Sequence, residues 1–157
     1  MPDTPNTQAL HDIKVLDLMW VIAGPTATRY LADYGATVVR VESSTRVETG
    51  RTIGPFHGGE AGPENSALFS NMNTNKYGLT LDLASSEGKT VIKDLVQWAD
   101  IVSESFSPGA MYRWGLDYDA LRQIKPDLIM LSTCLFGQTG PLSSVAGFGT
   151  MGSAIAG

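Results

Sequence analysis

Residues 15–42 read VLDLMWVIAGPTATRYLADYGATVVRVE, and this stretch decides the fold class. The apolar run at 13–18 predicts a first β-strand. Pro25 suits the first turn of a following helix, and Gly35 suits its end. Residues 37–42 are rich in β-branched side chains and predict a second strand. Because so short a crossover joins the two strands, we expect them to be parallel neighbours in one sheet.

The rest of the chain repeats this alternation of strands and helices. Residues 43–65 are rich in Gly and Pro and predict a long loop. Beyond it the pattern predicts strands at 79–83, 101–106 and 128–135, a helix capped by Ser85 or Ser86, and shorter helices at 66–72, 108–114 and 118–124. The predicted class is α/β, with an open, mostly parallel Rossmann-like sheet and helices on both faces. We expect residues 1–12 to be a polar lead-in and 13–157 to form one domain.

Composition excludes several classes of function. The 157 residues are 43% hydrophobic and carry a formal net charge of −5, which argues against a disordered chain and against a nucleic-acid-binding protein. The sequence has no apolar run long enough to span a membrane and no signal peptide at its start, so we expect a cytoplasmic protein. Its single cysteine, Cys134, excludes an internal disulfide and a cysteine-cluster metal site, and we predict no metal.

The last thirty residues, 128–157, contain no charged residue and no histidine. Natural chain ends are normally polar and solvated. We therefore expect this stretch to be the interior of a larger protein, whose chain continues past Gly157.

Candidate ligand-binding residues lie where the predicted strands end. In a parallel sheet, loops and helix N-termini meet at the carboxyl ends of the strands, and ligands bind there. Residues 21–25 open a helix after the first strand, and the free N–H groups of such a turn suit an anion such as phosphate. The alternative is that Gly24 serves only close packing between strand and helix.

Later segments carry further candidates, each with a structural alternative. Phe106 suits stacking on a base, and Ser107 suits phosphate binding, but Phe106 also fits the core and Ser107 a helix cap. Arg113 suits a forked phosphate contact and Lys76 a point-charge contact, but each also suits a solvated surface. Asp17 ends the first strand, where a hydrogen bond to backbone is favoured over a general-base role.

Four segments together resemble the class III CoA transferases of the formyl-CoA and carnitine CoA transferase type, a superfamily that also contains the α-methylacyl-CoA racemases. They are residues 15–42, NMNTNKYGLTLDL at 71–83, EGKTVIKDLVQWADIVSESFSPGAMYRWGLDY at 87–118, and GQTGPLSSVAGFGTMGSAIAG at 137–157. No single segment is decisive, but their order and separations are highly specific.

The resemblance implies that coenzyme A or its thioester is the substrate, with no permanently bound cofactor. By the family pattern, the residues beside this ligand are Ile22, Ala23, Lys76, Leu81, Asp82, Leu83, Ser105, Phe106, Ser107, Arg113, Gly147 and Phe148. The first two lie beside the CoA chain, Leu81 to Leu83 along the adenosine, Ser105 to Ser107 near the phosphates, and Gly147 and Phe148 near the thioester.

The sequence departs from the family pattern at three places. Ser43 stands where a basic residue is common, and Tyr77 replaces the arginine of a common Asn-Lys-Arg. Phe148 stands where the racemase branch carries a histidine base, and a phenylalanine cannot take a proton from an α-carbon. The resemblance therefore favours CoA transfer over racemisation.

By the same resemblance, a transferase aspartate attacks the acyl-CoA to give a mixed anhydride and then an aspartyl-CoA thioester, from which CoA passes to a second carboxylic acid. That aspartate lies downstream of residue 157, so we expect residues 1–157 alone to be inactive and the full-length protein to form an interlocked homodimer. The alternatives are an acyl-CoA racemase or isomerase of the same superfamily, and a non-catalytic CoA-binding module.

Overall fold

A computed structural model describes residues 8–157, so the predicted polar lead-in lies partly outside the described residues. Its centre is a five-stranded sheet with the strand order β3-β2-β1-β4-β5. All four strand pairings are parallel, with Leu16 opposite Val39 on one side of β1 and opposite Val102 on the other. The strands are β1 (Lys14–Leu18), β2 (Thr37–Glu42), β3 (Tyr77–Thr80), β4 (Ile101–Glu104) and β5 (Ile129–Ser132).

Helices cover both faces of this sheet. They are α1 (Ala23–Asp33), α2 (Ala67–Met72), α3 (Ser86–Trp98), α4 (Ala110–Trp114), α5 (Tyr118–Ile124) and α6 (Gly149–Ala156). Side chains alternate between the faces along β1, so Val15 packs with Ala32 of α1, whereas Leu16 packs with Ile92 of α3. The predicted α/β class, with a parallel sheet between helices, is confirmed.

The larger apolar core lies on the face covered by α3, α4 and α5. Its buried members are Leu16, Leu18, Val41, Ile92, Val96, Ala99, Val102, Met111, Leu116, Leu121 and Leu128. Helix α3 begins where the Ser85 hydroxyl accepts a hydrogen bond from the Gly88 N–H, as the sequence predicted. None of the helices between residues 8 and 157 has the length and apolarity needed to cross a lipid bilayer.

Strands β3 and β4 end earlier than predicted, because acidic side chains turn the backbone. The Leu81 N–H still bonds to the Glu42 carbonyl, but the Asp82 carboxylate then accepts the Ala84 N–H at 2.9 Å and turns the chain towards α3. At the end of β4, the Glu104 carboxylate accepts the Phe106 N–H at 2.8 Å. The strands expected at 79–83 and 101–106 are therefore followed by loops at the carboxyl edge of the sheet.

The end of the chain differs most from the prediction. Strand β5 is half as long as expected and lies at the edge of the sheet with Ile129 and Leu131 exposed. Cys134, which the predicted strand 128–135 includes, follows β5 in the structure and is half-buried. Helix α6 was not predicted, because its two glycines and lack of charged residues give no amphipathic pattern.

Gly88 is where α3 approaches the preceding loop most closely. A Cβ built on Gly88 would lie 1.9 Å from the Asp82 carbonyl oxygen, which is backbone and cannot move aside. We expect Gly88→Ala to destabilise the protein by roughly 3 kcal/mol, at the upper end of overpacking costs. Urea denaturation followed by circular dichroism measures this change.

Gly78→Ala is the matched control in β3. A Cβ at Gly78 would meet nothing within 4 Å, so we expect roughly 0.5–1 kcal/mol of stabilisation from the lost backbone freedom. Equal unfolding midpoints for the two variants would contradict the close approach of α3 to Asp82.

Candidate functional site

A cavity of about 230 Å³ opens at the carboxyl edge of the sheet. Loops that follow β1, β2, β3 and β4 contribute to it, as expected for an open parallel sheet. We call it the aromatic pocket, and its lining consists of Trp20, Val41, Glu42, Ser43, Thr45, Arg46, Leu81, Asp82, Leu83, Ala84, Phe106 and Trp114. Four predicted site residues, Leu81, Asp82, Leu83 and Phe106, therefore share one cavity.

Three aromatic side chains form one wall of the aromatic pocket. The Phe106 ring lies 6.0 Å from Trp20 and 5.0 Å from Trp114, measured between ring centroids. Both pairs are edge-to-face, with interplanar angles of 66° and 82°, a geometry that stabilises aromatic clusters. Such a wall suits a flat, apolar ring system.

Two carboxylates provide the acidic groups of the aromatic pocket. Glu42 accepts two hydrogen bonds from Arg51, at 2.7 and 3.0 Å. Burial opposes ionisation of Glu42, but the hydrogen bonds from Arg51 and the charge of Arg40 hold its pKa below the usual carboxyl value. Asp82 uses one oxygen to accept the Ala84 N–H. Within residues 8–157 its other oxygen makes no hydrogen bond, so it can accept one from a ligand hydroxyl.

A buried ion network lies behind the start of α1. It consists of Asp17, Arg40, Glu48 and Lys76, whose side chains are at most 2% exposed. The Lys76 Nζ lies 3.0 Å from the Asp17 carboxylate, and the Arg40 guanidinium contacts both Asp17 and Glu48. Burial lowers the pKa of Lys76 and raises that of Glu48. The two pairs balance in charge, which makes their burial tolerable.

The buried ion network also fixes the turn between β1 and α1. Glu48 accepts the Val21 N–H at 2.6 Å, and Arg40 donates to the Met19 carbonyl at 2.8 Å. Val21 has a φ of 72°, a left-handed conformation that is costly for a β-branched residue. The hydrogen bond from Glu48 therefore helps to hold the backbone from which α1 begins.

The structure places Lys76 in the interior. Its ammonium donates to Asp17, to the Pro25 carbonyl at 2.9 Å and to the Asn73 side chain at 2.9 Å. An ammonium has three N–H donors, and these three acceptors occupy them. The phosphate contact predicted for Lys76 would therefore require it to leave this network.

The other predicted site residues lie outside the lining of the aromatic pocket. Ile22 and Ala23 are exposed at the start of α1, where no side chain caps the helix. The Ser105 hydroxyl accepts the Trp20 N–H at 2.7 Å and so joins the ends of β1 and β4. Ser107 and Arg113 are exposed near α4, and Gly147 and Phe148 precede α6. Gly24 packs against Met19, which supports its predicted role in close packing.

Sequence reasoning missed several residues of this region. Trp20 lies two residues after the end of β1, and this position near a strand end is the signal that could have identified it. Arg46 and Glu48 lie in the 43–65 loop, where no periodic pattern singles out individual side chains. Asp17 does bond to backbone, since it accepts the Met19 N–H at 3.0 Å, but its ion pairs with Lys76 and Arg40 were not predicted.

A second, more open groove runs along β5. Glu104, Met111, Tyr112, Ile129 and Gln138 are among its lining residues. Burial raises the pKa of the Glu104 carboxyl, although hydrogen bonds from Ser132 and the Phe106 N–H partly offset this effect. Across residues 8–157, no group of three or more His, Cys, Asp or Glu side chains is arranged to hold a metal ion.

The fold and this edge define an α/β domain with a parallel sheet and an aromatic pocket at the carboxyl ends of its strands. The chain belongs to CoA-transferase family III, whose family model matches residues 10–157. The family resemblance seen in the sequence is thereby confirmed.

Relatives in this family are named as CoA-transferases. The chain is 36% identical to the human succinyl-CoA:glutarate CoA-transferase, a match that covers 99% of this chain and 34% of the relative. It is 39% identical to the succinate–glutarate CoA-transferase of Agrobacterium fabrum, over 94% of this chain and 38% of the relative. It is 34% identical to the formyl-CoA:oxalate CoA-transferase of Streptomyces avermitilis, over 96% of this chain and 36% of the relative. The chain thus spans little more than a third of the length of these relatives.

Solved structures confirm the fold. A CaiB/BaiF family protein from Brucella suis superposes with a TM-score of 0.82 at 37% identity, over 92% of this chain and 38% of that one. A hypothetical protein from Mycobacterium tuberculosis superposes with a TM-score of 0.84 at 34% identity, over 96% of this chain and 40% of that one.

Glu104 makes a testable contribution to the pH dependence of stability. Because its folded pKa is raised, the stability that it contributes is present below the usual carboxyl value of 4.5 and is lost as pH rises through the folded pKa. We expect Glu104→Gln, which cannot ionise, to gain stability relative to wild type as the pH increases from 4.5 to neutrality. Urea denaturation at a series of pH values measures the difference.

Glu42→Gln is the control of opposite sign. The pKa of Glu42 is lowered, so the stability that it contributes is present above 4.5 and is lost as the pH falls through the folded pKa. We expect the difference between wild type and this variant to shrink in acid. Parallel pH profiles for the two variants would contradict the assigned environments.

Proposed function

We propose that this chain forms the CoA-binding part of an acyl-CoA:carboxylate CoA-transferase. One observation carries the proposal: in a member of CoA-transferase family III, Leu81, Asp82, Leu83 and Phe106 line one aromatic pocket at the ligand-binding edge of the sheet. Its substrates would be an acyl-CoA and a free carboxylic acid, with no permanently bound cofactor. The relatives named as CoA-transferases support this substrate class.

The geometry supports a specific mode of nucleotide binding. The adenine ring of CoA would lie against Phe106 and the neighbouring tryptophans, since a flat π-system stacks on aromatic side chains. The open oxygen of Asp82 would accept a ribose hydroxyl, which a carboxylate commonly does in nucleotide sites. The uncapped start of α1, at Ile22 and Ala23, would place backbone N–H groups near a phosphate.

The chemical step would use a carboxylate nucleophile outside residues 1–157. That aspartate would attack the acyl-CoA carbonyl, release CoA as a thiolate and form a mixed anhydride. The CoA thiolate would then attack the aspartyl carbonyl of the anhydride, which forms an aspartyl-CoA thioester and releases the first carboxylic acid. A second carboxylic acid would accept CoA from this thioester by the same steps in reverse. Asp17 is unsuited to this role because it is buried and paired with Lys76. Asp117 caps α5 by accepting the Ala120 N–H.

The assembly and location belong to the same proposal. The full-length protein would be a cytoplasmic, interlocked homodimer, and residues 1–157 alone would be inactive. The exposed apolar side chains Phe148, Met151 and Ile155 at the end of the chain support burial against further polypeptide.

An activity assay on the full-length protein tests this function. We expect CoA to move from succinyl-CoA to glutarate or oxalate, the acceptor acids in the names of the relatives, and the new thioester to be detected by mass spectrometry. Residues 1–157 serve as the inactive control, and activity of this piece would refute the external nucleophile. Exchange of the α-proton with deuterated water in the absence of an acceptor acid would instead indicate a racemase or isomerase.

Phe106 provides the sharpest test of the nucleotide position. We expect Phe106→Leu, which keeps an apolar side chain but removes the ring, to raise the KM for acyl-CoA by roughly tenfold because stacking on the adenine is lost. The KM for the acceptor acid should change little. Tyr30→Leu removes an exposed ring on α1 as a control. An unchanged KM for acyl-CoA in Phe106→Leu would place the adenine elsewhere.

A further inference from the structure

Of the residues between 8 and 157 that line the aromatic pocket, Arg46 is the only basic one. It lies in the loop that follows β2, beside the uncharged hydroxyl side chains of Ser43 and Thr45. The carboxylates of Glu42 and Asp82 belong to the same lining. Among the described lining residues, Arg46 is therefore the cation available to an anionic ligand.

The position of Arg46 is set by an aromatic ring rather than by an acid. Its guanidinium carbon lies over the Trp20 ring, 5.2 Å from the centroid. A guanidinium that lies over an aromatic face keeps the N–H donors in its plane available for other acceptors. Two contacts hold Trp20 in place. Its backbone N–H donates to the Ser105 hydroxyl, and its ring packs edge-to-face on Phe106.

The neighbouring arginines are already paired, unlike Arg46. Arg51 is bound to Glu42 and Glu64, and Arg40 is buried against Asp17 and Glu48. Within residues 8–157, Arg46 has no carboxylate at ion-pair distance and makes no hydrogen bond. Among the described residues, its charge therefore lies in the lining of the pocket with the Trp20 ring beside it and no acidic partner.

We propose that Arg46 binds a phosphate group of the CoA nucleotide in the aromatic pocket. Arg46 would thereby give this pocket a preference for phosphorylated ligands. This inference rests on the proposed function. A phosphate offers acceptor oxygens that match the planar fork of a guanidinium. A local cation matters here because the chain carries a formal net charge of −5, which repels a polyanionic ligand.

Calorimetric titration of the full-length protein with CoA tests the role of Arg46. We expect Arg46→Ala to weaken CoA binding about tenfold at low salt, as for the loss of a charge-assisted hydrogen bond, and the difference from wild type to shrink at high salt. Arg46→Lys should recover part of the affinity because it keeps the charge. Arg122→Ala is the matched control, since Arg122 is an exposed arginine that lies 5.6 Å from the Tyr118 ring and outside the pocket.

Titration with 3′-dephospho-CoA identifies the phosphate. A loss confined to CoA assigns Arg46 to the 3′-phosphate, and an equal loss with both ligands assigns it to the diphosphate. The proposal is overturned if Arg46→Ala binds CoA within twofold of wild type, or if Arg122→Ala loses as much affinity. Failure of wild type to bind CoA would instead refute the proposed function.

Discussion

The pairing of Arg40 with Asp17 and Glu48, in the interior at the carboxyl ends of β1 and β2, is the constraint on which the carboxyl edge of the sheet depends. Arg40 is 2% exposed, and a charge so deeply buried is costly unless its partners stay in place. Through Glu48 the pairing ties the long loop to the Val21 backbone, and through Asp17 it reaches Lys76 ahead of β3. Three loops are therefore held in fixed positions around α1. Loss of one partner would leave an unpaired buried charge, which typically costs about 3–5 kcal/mol.

The fold could be predicted because local patterns and global packing agree over most of the chain. The alternation of apolar residues in β1 and β2 corresponds to burial on two faces, and the Ser85 cap marks the start of α3. Agreement fails where a side chain overrides propensity, as when Asp82 and Glu104 bind backbone N–H groups and end their strands. It also fails at α6, because the apolar, glycine-rich sequence of this helix lacks the polar face by which a surface helix is predicted.

The candidate site could be predicted only where residues follow directly on strands. Leu81 to Leu83 and Phe106 do so, and the sheet topology brings them together in the aromatic pocket. Arg46 and Glu48 could not be found in this way, because their positions depend on contacts with Trp20 and Val21 that are distant in sequence. For Lys76, the sequence shows a positive charge that could bind phosphate, but it does not show that the buried Asp17 is its ion-pair partner. The resemblance to a family suggests which residues contact the ligand. The structure shows which of those side chains are already bonded to other residues of the protein, as Lys76 is.

Strand β5 has one free edge, and this has a practical consequence for anyone who handles the protein. One side of Ile129–Ser132 pairs with β4, whereas the other side pairs with no strand in residues 8–157 and is flanked by the exposed side chains of Ile129 and Leu131. An uncovered apolar edge of this kind is a template for adding further strands. Residues 8–157 produced in isolation would therefore tend to form insoluble aggregates, and a charged substitution such as Leu131→Lys would be the remedy to try first.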